Sequence, residues 1–278
     1  MNGESQVLPS RGHASREGIN MAAAPRTVLI SGCSSGIGLE LAVQLAHDPK
    51  KRYQVNNAGM GLVGPLEGLS LDAMQNVFDT NFFGAVRLVK AVLPGMKRRR
   101  QGHIVVISSV MGLQGVIFND VYAASKFALE GFFESLAIQL LHFNIFISLV
   151  EPGPVVTEFE GKLLAQVSTA EFPGTDPDTL HYFRDLYLPA SRELFRSVGQ
   201  SPQDVVQAIV KVIGSTRPPL RQQTNIRYSP LTMLKTVDSS GSLYVRTTHC
   251  LLFRCPRLLS LGLRCLSCGC LPARVRPR

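Results

Sequence analysis

Thr27-Val28-Leu29-Ile30-Ser31-Gly32-Cys33-Ser34-Ser35-Gly36-Ile37-Gly38 decides how this chain folds. A short β-branched and apolar run ends in closely spaced glycines, and helical spacing then continues to about His47. Glycines let the backbone turn tightly between strand and helix and approach a pyrophosphate, whose charge the N–H groups of the helix N-terminus hold. The pattern predicts the first, central strand of a doubly wound parallel sheet, an α/β fold of the Rossmann type. It also predicts a dinucleotide cradle at Gly32, Ser34, Ser35, Gly36, Ile37 and Gly38. Taken alone, the motif also fits a glycine-rich turn without a ligand.

A second constellation lies downstream. Ile104-Val105-Val106-Ile107 reads as a buried strand, and Ser108-Ser109 follows it. A hydroxyl at the carboxyl end of a parallel strand faces the ligand crevice, where Ser109 can hydrogen-bond a substrate oxygen. Tyr122 and Lys126 stand at i and i+4, on one face of a helix opening near Tyr122. An ammonium beside a phenol favours the phenolate, which brings a group of ordinary pKa ~10 closer to neutral pH. Serine, tyrosine and lysine together suit the interconversion of a carbonyl and an alcohol. A Tyr-x-x-x-Lys pair by itself is more often a surface pair on a helix.

These two constellations, with Asn56-Asn57-Ala58-Gly59, Asn81 and Pro152-Gly153-Pro154-Val155-Val156-Thr157, make the chain resemble the short-chain dehydrogenase/reductase family from Met21 to nearly Arg278. The run from Ser109 to Glu158 is most similar to the branch that handles retinoids and estrogens. The resemblance implies catalytic roles for Asn81, Ser109, Tyr122 and Lys126, with the substrate oxygen held by Ser109 and Tyr122. It implies that Asn57, Ala58, Gly59, Pro152, Gly153, Val155 and Thr157 join the glycine turn, Tyr122 and Lys126 around a nicotinamide cofactor, with Thr157 on the carboxamide. The expected reaction is reduction of all-trans-retinal to all-trans-retinol with NADPH, with NAD as the other candidate and estrone/estradiol interconversion as a second activity. A homodimer is expected too.

One interval departs from the family. After Asp48-Pro49-Lys50-Lys51-Arg52-Tyr53-Gln54-Val55 the chain reaches directly the Asn56-Asn57-Ala58-Gly59 turn, which in the family closes the fourth strand. A dinucleotide fold places a ribose-binding residue about 20 residues after the glycines, and each βαβ unit takes ~30 residues or more. The interval from Gly38 to Asn56 cannot hold the rest of the second strand, the third and the fourth with their helices. If Arg52 to Val55 takes the fourth strand's place, either the preceding helix changes face or its crossover turns left-handed, against a right-handed preference of ~98%. If it stays as a second strand, the Asn-Asn-Ala-Gly turn leaves the cofactor. Either outcome damages the adenosine half of the site, so a cofactor-deficient chain acting only as a membrane-bound dimerisation partner is the alternative function.

Further along, Leu69 to Met96 is expected to be helical around Asn81, and Tyr122 to Phe143 a helix apolar on more than one face, which suits the sheet and a second subunit. Glu158 to Gln200, rich in Phe and Leu, reads as a long loop forming an apolar substrate lid. An ordinary helical insertion is the other reading.

Composition bounds the rest. With 278 residues, 45% hydrophobic and 18% charged, the chain can bury a sizeable core. The net charge of +9 would suggest nucleic acid, but Arg246, Arg254, Arg257, Arg264, Arg274, Arg276 and Arg278 supply most of it and no acidic residue follows Asp238. The body is therefore near neutral, and no nucleic-acid partner is expected. Three divisions follow: a disordered extension at 1–20, a dehydrogenase domain at 21–235 and a basic, cysteine-rich tail at 236–278. Cys33 stands alone in the body, so no disulfide framework is expected and a reducing setting fits. In the tail, arginines interrupt the apolar run before it reaches the ~20 residues a membrane span needs. Leu251, Leu252, Phe253, Leu258, Leu259, Leu261, Leu263 and Leu266 among arginines instead suit the membrane interface, and Cys265, Cys268 and Cys270 suit S-palmitoylation. A membrane-associated protein on the cytoplasmic side is expected. A zinc site is the other reading on cysteine count, but those three are cramped ligands with the fourth left to Cys250 or Cys255, and no metal is expected.

Overall fold

The computed structural model describes residues 28–46, 53–255, 258, 261 and 262. The extension at 1–20 and Cys265, Cys268 and Cys270 lie outside them. Strand β1 (Val28–Ile30) leads through the glycine turn into α1 (Gly36–Ala46), and β2 (Tyr53–Asn56) follows. Helices α2 (Leu71–Phe78) and α3 (Gly84–Arg98) run on through a π-helical turn at Asp79–Phe83 and feed β3 (Gly102–Ile107). Next come α4 (Asp120–Leu140) and β4 (Ile145–Glu151). The segment expected to be a loop is instead α5 (Glu158–Thr169), α6 (Pro177–His181) and α7 (Leu188–Val198). Its apolar residues recur at helical spacing and bury Val167, Phe172, Phe183 and Leu188 in a small core of their own. Helix α8 (Pro202–Gly214) opens on a capping box between Ser201 and Asp204 and leads to β5 (Arg221–Gln223), followed by α9 (Ser229–Val237) and α10 (Ser242–His249).

The strands form one parallel sheet in the order β1-β2-β3-β4-β5. Side chains alternate across it, which divides the core in two. Val105 and Ile107 of β3 pack with Leu41 of α1 and with Val205, Val206 and Ile209 of α8. Ile104 and Val106 meet Ala85 and Val89 of α3 and Leu129 and Phe133 of α4 on the other face. Burial on both faces explains why the central strands read as continuous apolar runs.

β2 pairs with β1 on one side and β3 on the other, so it occupies the fourth strand's place. All four connections step the same way across the sheet, yet α1 lies on the face opposite α3 and α4. The β1-α1-β2 crossover therefore has the opposite hand to the two crossovers through α3 and α4. With those right-handed by the general preference, the first is left-handed, and so is the β4-to-β5 connection through α8, which shares the α1 face. The helix kept its face, and the Asn57 turn stayed beside the glycine turn. β1 is now an edge strand, with Leu29 40% exposed, and no further strand lies beyond it among the described residues.

Gly38 shows how tightly the first turn is docked: a Cβ there would stand 2.2 Å from the Gly32 carbonyl oxygen and 2.5 Å from Asn57 Nδ2. Gly38→Ala is expected to destabilise the fold by about 1–3 kcal/mol, as overpacking does. Gly161→Ala on α5, where a Cβ meets nothing within 4 Å, should be neutral or slightly stabilising. Urea unfolding midpoints of the two variants check this, and equal midpoints contradict the docking.

Candidate active site

The carboxyl ends of β1, β2, β3 and β4 all open on one cavity of about 510 Å³. Its floor is the set of loops that follow those strands, as the topology of a parallel sheet dictates. The glycine turn contributes Gly32, Ser34, Ser35, Gly36 and Ile37, and the turn after β2 contributes Asn57, Ala58 and Gly59. Ser109, Tyr122 and Lys126 come from β3 and α4, and Pro152, Gly153, Val155 and Thr157 from the loop after β4.

Two of the expected residues stand behind the cavity rather than on it. Gly38 is a packing glycine, as its contacts show. Asn81 is buried at 1% exposure in the π-helical turn between α2 and α3. Its Oδ1 accepts from Met60 N at 2.8 Å, and its Nδ2 donates to Met60 O at 3.0 Å and to Ser125 Oγ at 2.9 Å. It thus ties the Asn57–Met60 loop to α4, one residue before Lys126.

The two phosphate-side turns are bonded to each other. Asn57 Nδ2 donates to the carbonyls of Ser31 and Gly32 at 3.2 and 3.0 Å, while the N–H groups of Asn57 and Ala58 both donate to Ser31 Oγ. Gly32 and Gly36 have φ of +67° and +58°, conformations that a residue with a Cβ adopts only at a cost. Gly36 leaves open space, since a Cβ there would meet nothing closer than Thr157 Cγ2 at 3.7 Å. This bare backbone, beside exposed serines and a helix N-terminus, fits the pyrophosphate and nicotinamide half of a dinucleotide. The adenosine half would extend past β1, where the described residues provide no second strand as a wall.

Ser109 is buried with its Oγ accepting from Met111 N at 3.1 Å, and its hydroxyl also bonds the Tyr122 phenol, lowering the phenol's pKa. Lys126 donates from Nζ to the Ile107 carbonyl at 3.0 Å and sits 5.5 Å from the centroid of the Tyr122 ring. The electrostatics differ from the expectation that lysine would pull the phenol toward neutrality. Burial, and then the negative charge of Glu160, push the Tyr122 pKa above its ordinary value, and the Ser109 bond opposes them only in part. Burial also lowers Lys126 to about 8, with Glu130 working the other way. At neutral pH the phenol therefore carries its proton, which makes it a donor in this state.

Several cavity residues were not singled out in the sequence. Glu160 faces the site from the α5–α7 segment, beside Tyr187 of the expected lid, and burial raises Glu160 to about 7. Gln114 donates to Tyr228 Oη at 3.1 Å, and Tyr244 of α10 donates to the Gly115 carbonyl at 2.6 Å. Tyr244, Thr248, Leu251 and Leu252 all line the cavity, so the first part of the expected tail is pocket wall. Leu251, Leu252 and Phe253, expected to face a membrane, are half-buried, and Phe253 stands edge-on to Tyr182 at 5.1 Å. Leu258 and Leu261 are exposed. Among the described residues no group of His, Cys, Asp or Glu could hold a metal, and no helix is long and apolar enough to cross a membrane.

Comparison with known proteins shows the family to which the chain belongs. Residues 52–168 match the short chain dehydrogenase family model. Human retinol dehydrogenase 8 is 78% identical over an alignment of 311 positions that covers 93% of this chain and all of that protein. The alignment is longer than the chain, so part of that relative has no counterpart here. Human 17-beta-hydroxysteroid dehydrogenase type 1 is 39% identical over 80% of this chain and 84% of its own. Among solved structures, ElxO with NADP bound superposes with a TM-score of 0.57 at 20% identity, covering 74% of this chain and 99% of that one.

Proposed function

The chain belongs to the short-chain dehydrogenase family and is an oxidoreductase of it, and from that premise we propose that it reduces all-trans-retinal to all-trans-retinol with NADPH. The observation that carries the reading is the intact Ser109, Tyr122 and Lys126 constellation in a chain 78% identical to a retinol dehydrogenase. The apolar wall of Phe159, Leu163, Leu164, Leu194 and Leu251 suits a polyene chain.

The residues would act as follows. Ser109 Oγ holds the aldehyde oxygen, and the Tyr122 phenol, protonated at neutral pH, gives that oxygen its proton. Lys126 stabilises the phenolate left behind, which buried surroundings alone would disfavour. Gly32, the Ser34–Ile37 turn and the Pro152–Thr157 loop would hold NADPH, which supplies the hydride. The α5–α7 segment keeps water from the reacting carbon. A ketosteroid is the second substrate class, favoured by the 39% identity to the steroid enzyme. The edge position of β1 favours a second reading, a chain that binds dinucleotide poorly and serves as a dimerisation partner.

The same proposal extends to assembly and location. Ile138 and Leu141 at the end of α4 are 74% and 61% exposed, which suits a homodimer face. The basic, leucine-rich residues beyond 255, with acylation at Cys265, Cys268 and Cys270, would hold the protein at the cytoplasmic face of a membrane.

Two outcomes are expected. Tyr122→Phe removes only the acidic hydroxyl, so retinal reduction should be lost while the far-ultraviolet circular dichroism is unchanged. Activity equal to the parent chain would refute the assigned proton donor. Replacing Cys265, Cys268 and Cys270 together by serine should move the protein into the soluble fraction. A triple variant that still sediments with membranes and resists salt would refute the acyl anchor.

A further inference from the structure

Glu130 lies one helical turn beyond Lys126 on α4 and does not line the cavity. Both residues are buried to 4% exposure, and the mechanism above gives Glu130 no task. Its surroundings are charged on every side. Arg221 of β5 brings Nη1 within 3.1 Å of Glu130 Oε2 and within 3.6 Å of Glu151 Oε1 on β4, while its Nη2 pairs with Glu134. Glu151 has no exposure at all, and the Ser108 hydroxyl and Gly112 close the space above Glu130. One guanidinium thus faces the carboxyls of Glu130, Glu134 and Glu151, and the buried Lys126 stands one helical turn from Glu130.

Each buried carboxyl and the lysine pay a desolvation cost, which pairing with Arg221 reduces for the carboxyls. Burial lowers the pKa of Lys126 and Glu130 raises it again, while burial holds Glu130 above its ordinary value against the Ser108 hydroxyl, Arg221 and then Lys126. Glu151, raised to about 7 by burial and then by Glu130, competes for the same Arg221. We propose that Glu130 is a positioning residue for the Tyr122–Lys126 pair: its carboxylate keeps the buried lysine charged beside the phenol, and Arg221 with Glu151 sets how much of that negative charge Lys126 feels. The inference deepens the proton-transfer role given above to Tyr122 and Lys126. It extends the site from the cavity along α4 to the β5 edge of the sheet, on the face that α4 covers.

The test reads the side chains themselves and stands apart from whether the chain turns over retinal. The full chain, labelled with carbon-13 in lysine and glutamate side chains, is titrated by NMR, with Lys126→Met and Glu130→Gln assigning the two signals. In the parent chain the Lys126 midpoint should lie near 8. Glu130→Gln should move it down by about one unit, the lower end of the effect of a close opposite charge. Reciprocally, Lys126→Met should raise the Glu130 midpoint, and Glu151→Gln should lower it. The signs exclude a merely structural role, because loosening that admits water would raise Lys126 and lower Glu130 toward their ordinary values. If Glu130→Gln does not fold, the Lys126→Met arm decides alone. An unchanged or raised Lys126 midpoint in Glu130→Gln, or an unchanged or lowered Glu130 midpoint in Lys126→Met, overturns the proposal.

Discussion

The docking of two turns, Ser31–Gly36 after β1 and Asn57–Met60 after β2, is the constraint on which the rest of this structure depends. The Asn57 amide and the Ser31 hydroxyl cross-link the turns with four hydrogen bonds, and Asn81 carries the connection on to α4 through Met60 and Ser125. These bonds give partners to the backbone groups at the two strand ends, which are part-buried at Ser31 and Asn57 and exposed at Gly32 and Ala58. They also fix the phosphate side of the cavity relative to Tyr122 and Lys126. A shift of either turn would separate the two halves of the site.

That docking explains the handedness of the first crossover. Read as a Boltzmann ratio, a right-handed preference of ~98% is worth about 2 kcal/mol. Moving α1 to the other face would take Leu41 out of the cluster it forms with Val205, Val206 and Ile209 and would pull Gly38 from Gly32 and Asn57. Burial of one such aliphatic side chain is worth about 1.5–3 kcal/mol, so losing several outweighs the handedness preference. The chain keeps its helix and its turns and accepts the rarer connection. What it gives up is the far side of β1, where a second strand would stand.

The sequence made the chemistry legible because chemistry depends on a few residue types at fixed spacing. The glycine turn, the Tyr122–Lys126 pair and the shortness of the interval before Asn56 all survive in the structure. Features that depend on tertiary burial were not legible. The Tyr122 phenol was expected to be drawn down by lysine, but its environment is dominated by desolvation and Glu160, from a helix that the sequence reading took for a loop. Residues 242–254 read as tail because they run without an acidic residue into the arginine- and cysteine-rich end, yet the Tyr244 hydroxyl bonds Gly115 and two leucines reach the cavity. The signal missed was a lone buried tyrosine in an otherwise basic segment.

The described residues carry the nicotinamide and catalytic half of a dehydrogenase site and, beyond β1, no strand to wall the adenosine half. It contains no tryptophan, so the cofactor's own fluorescence reports binding without interference. The dissociation constants of NADPH and of reduced nicotinamide mononucleotide, measured side by side, test the claim most directly. The two should lie within the same order of magnitude, because the described residues offer the adenosine half no strand beyond β1. A preference for NADPH of about 100-fold, equivalent to about 2.8 kcal/mol, would contradict it.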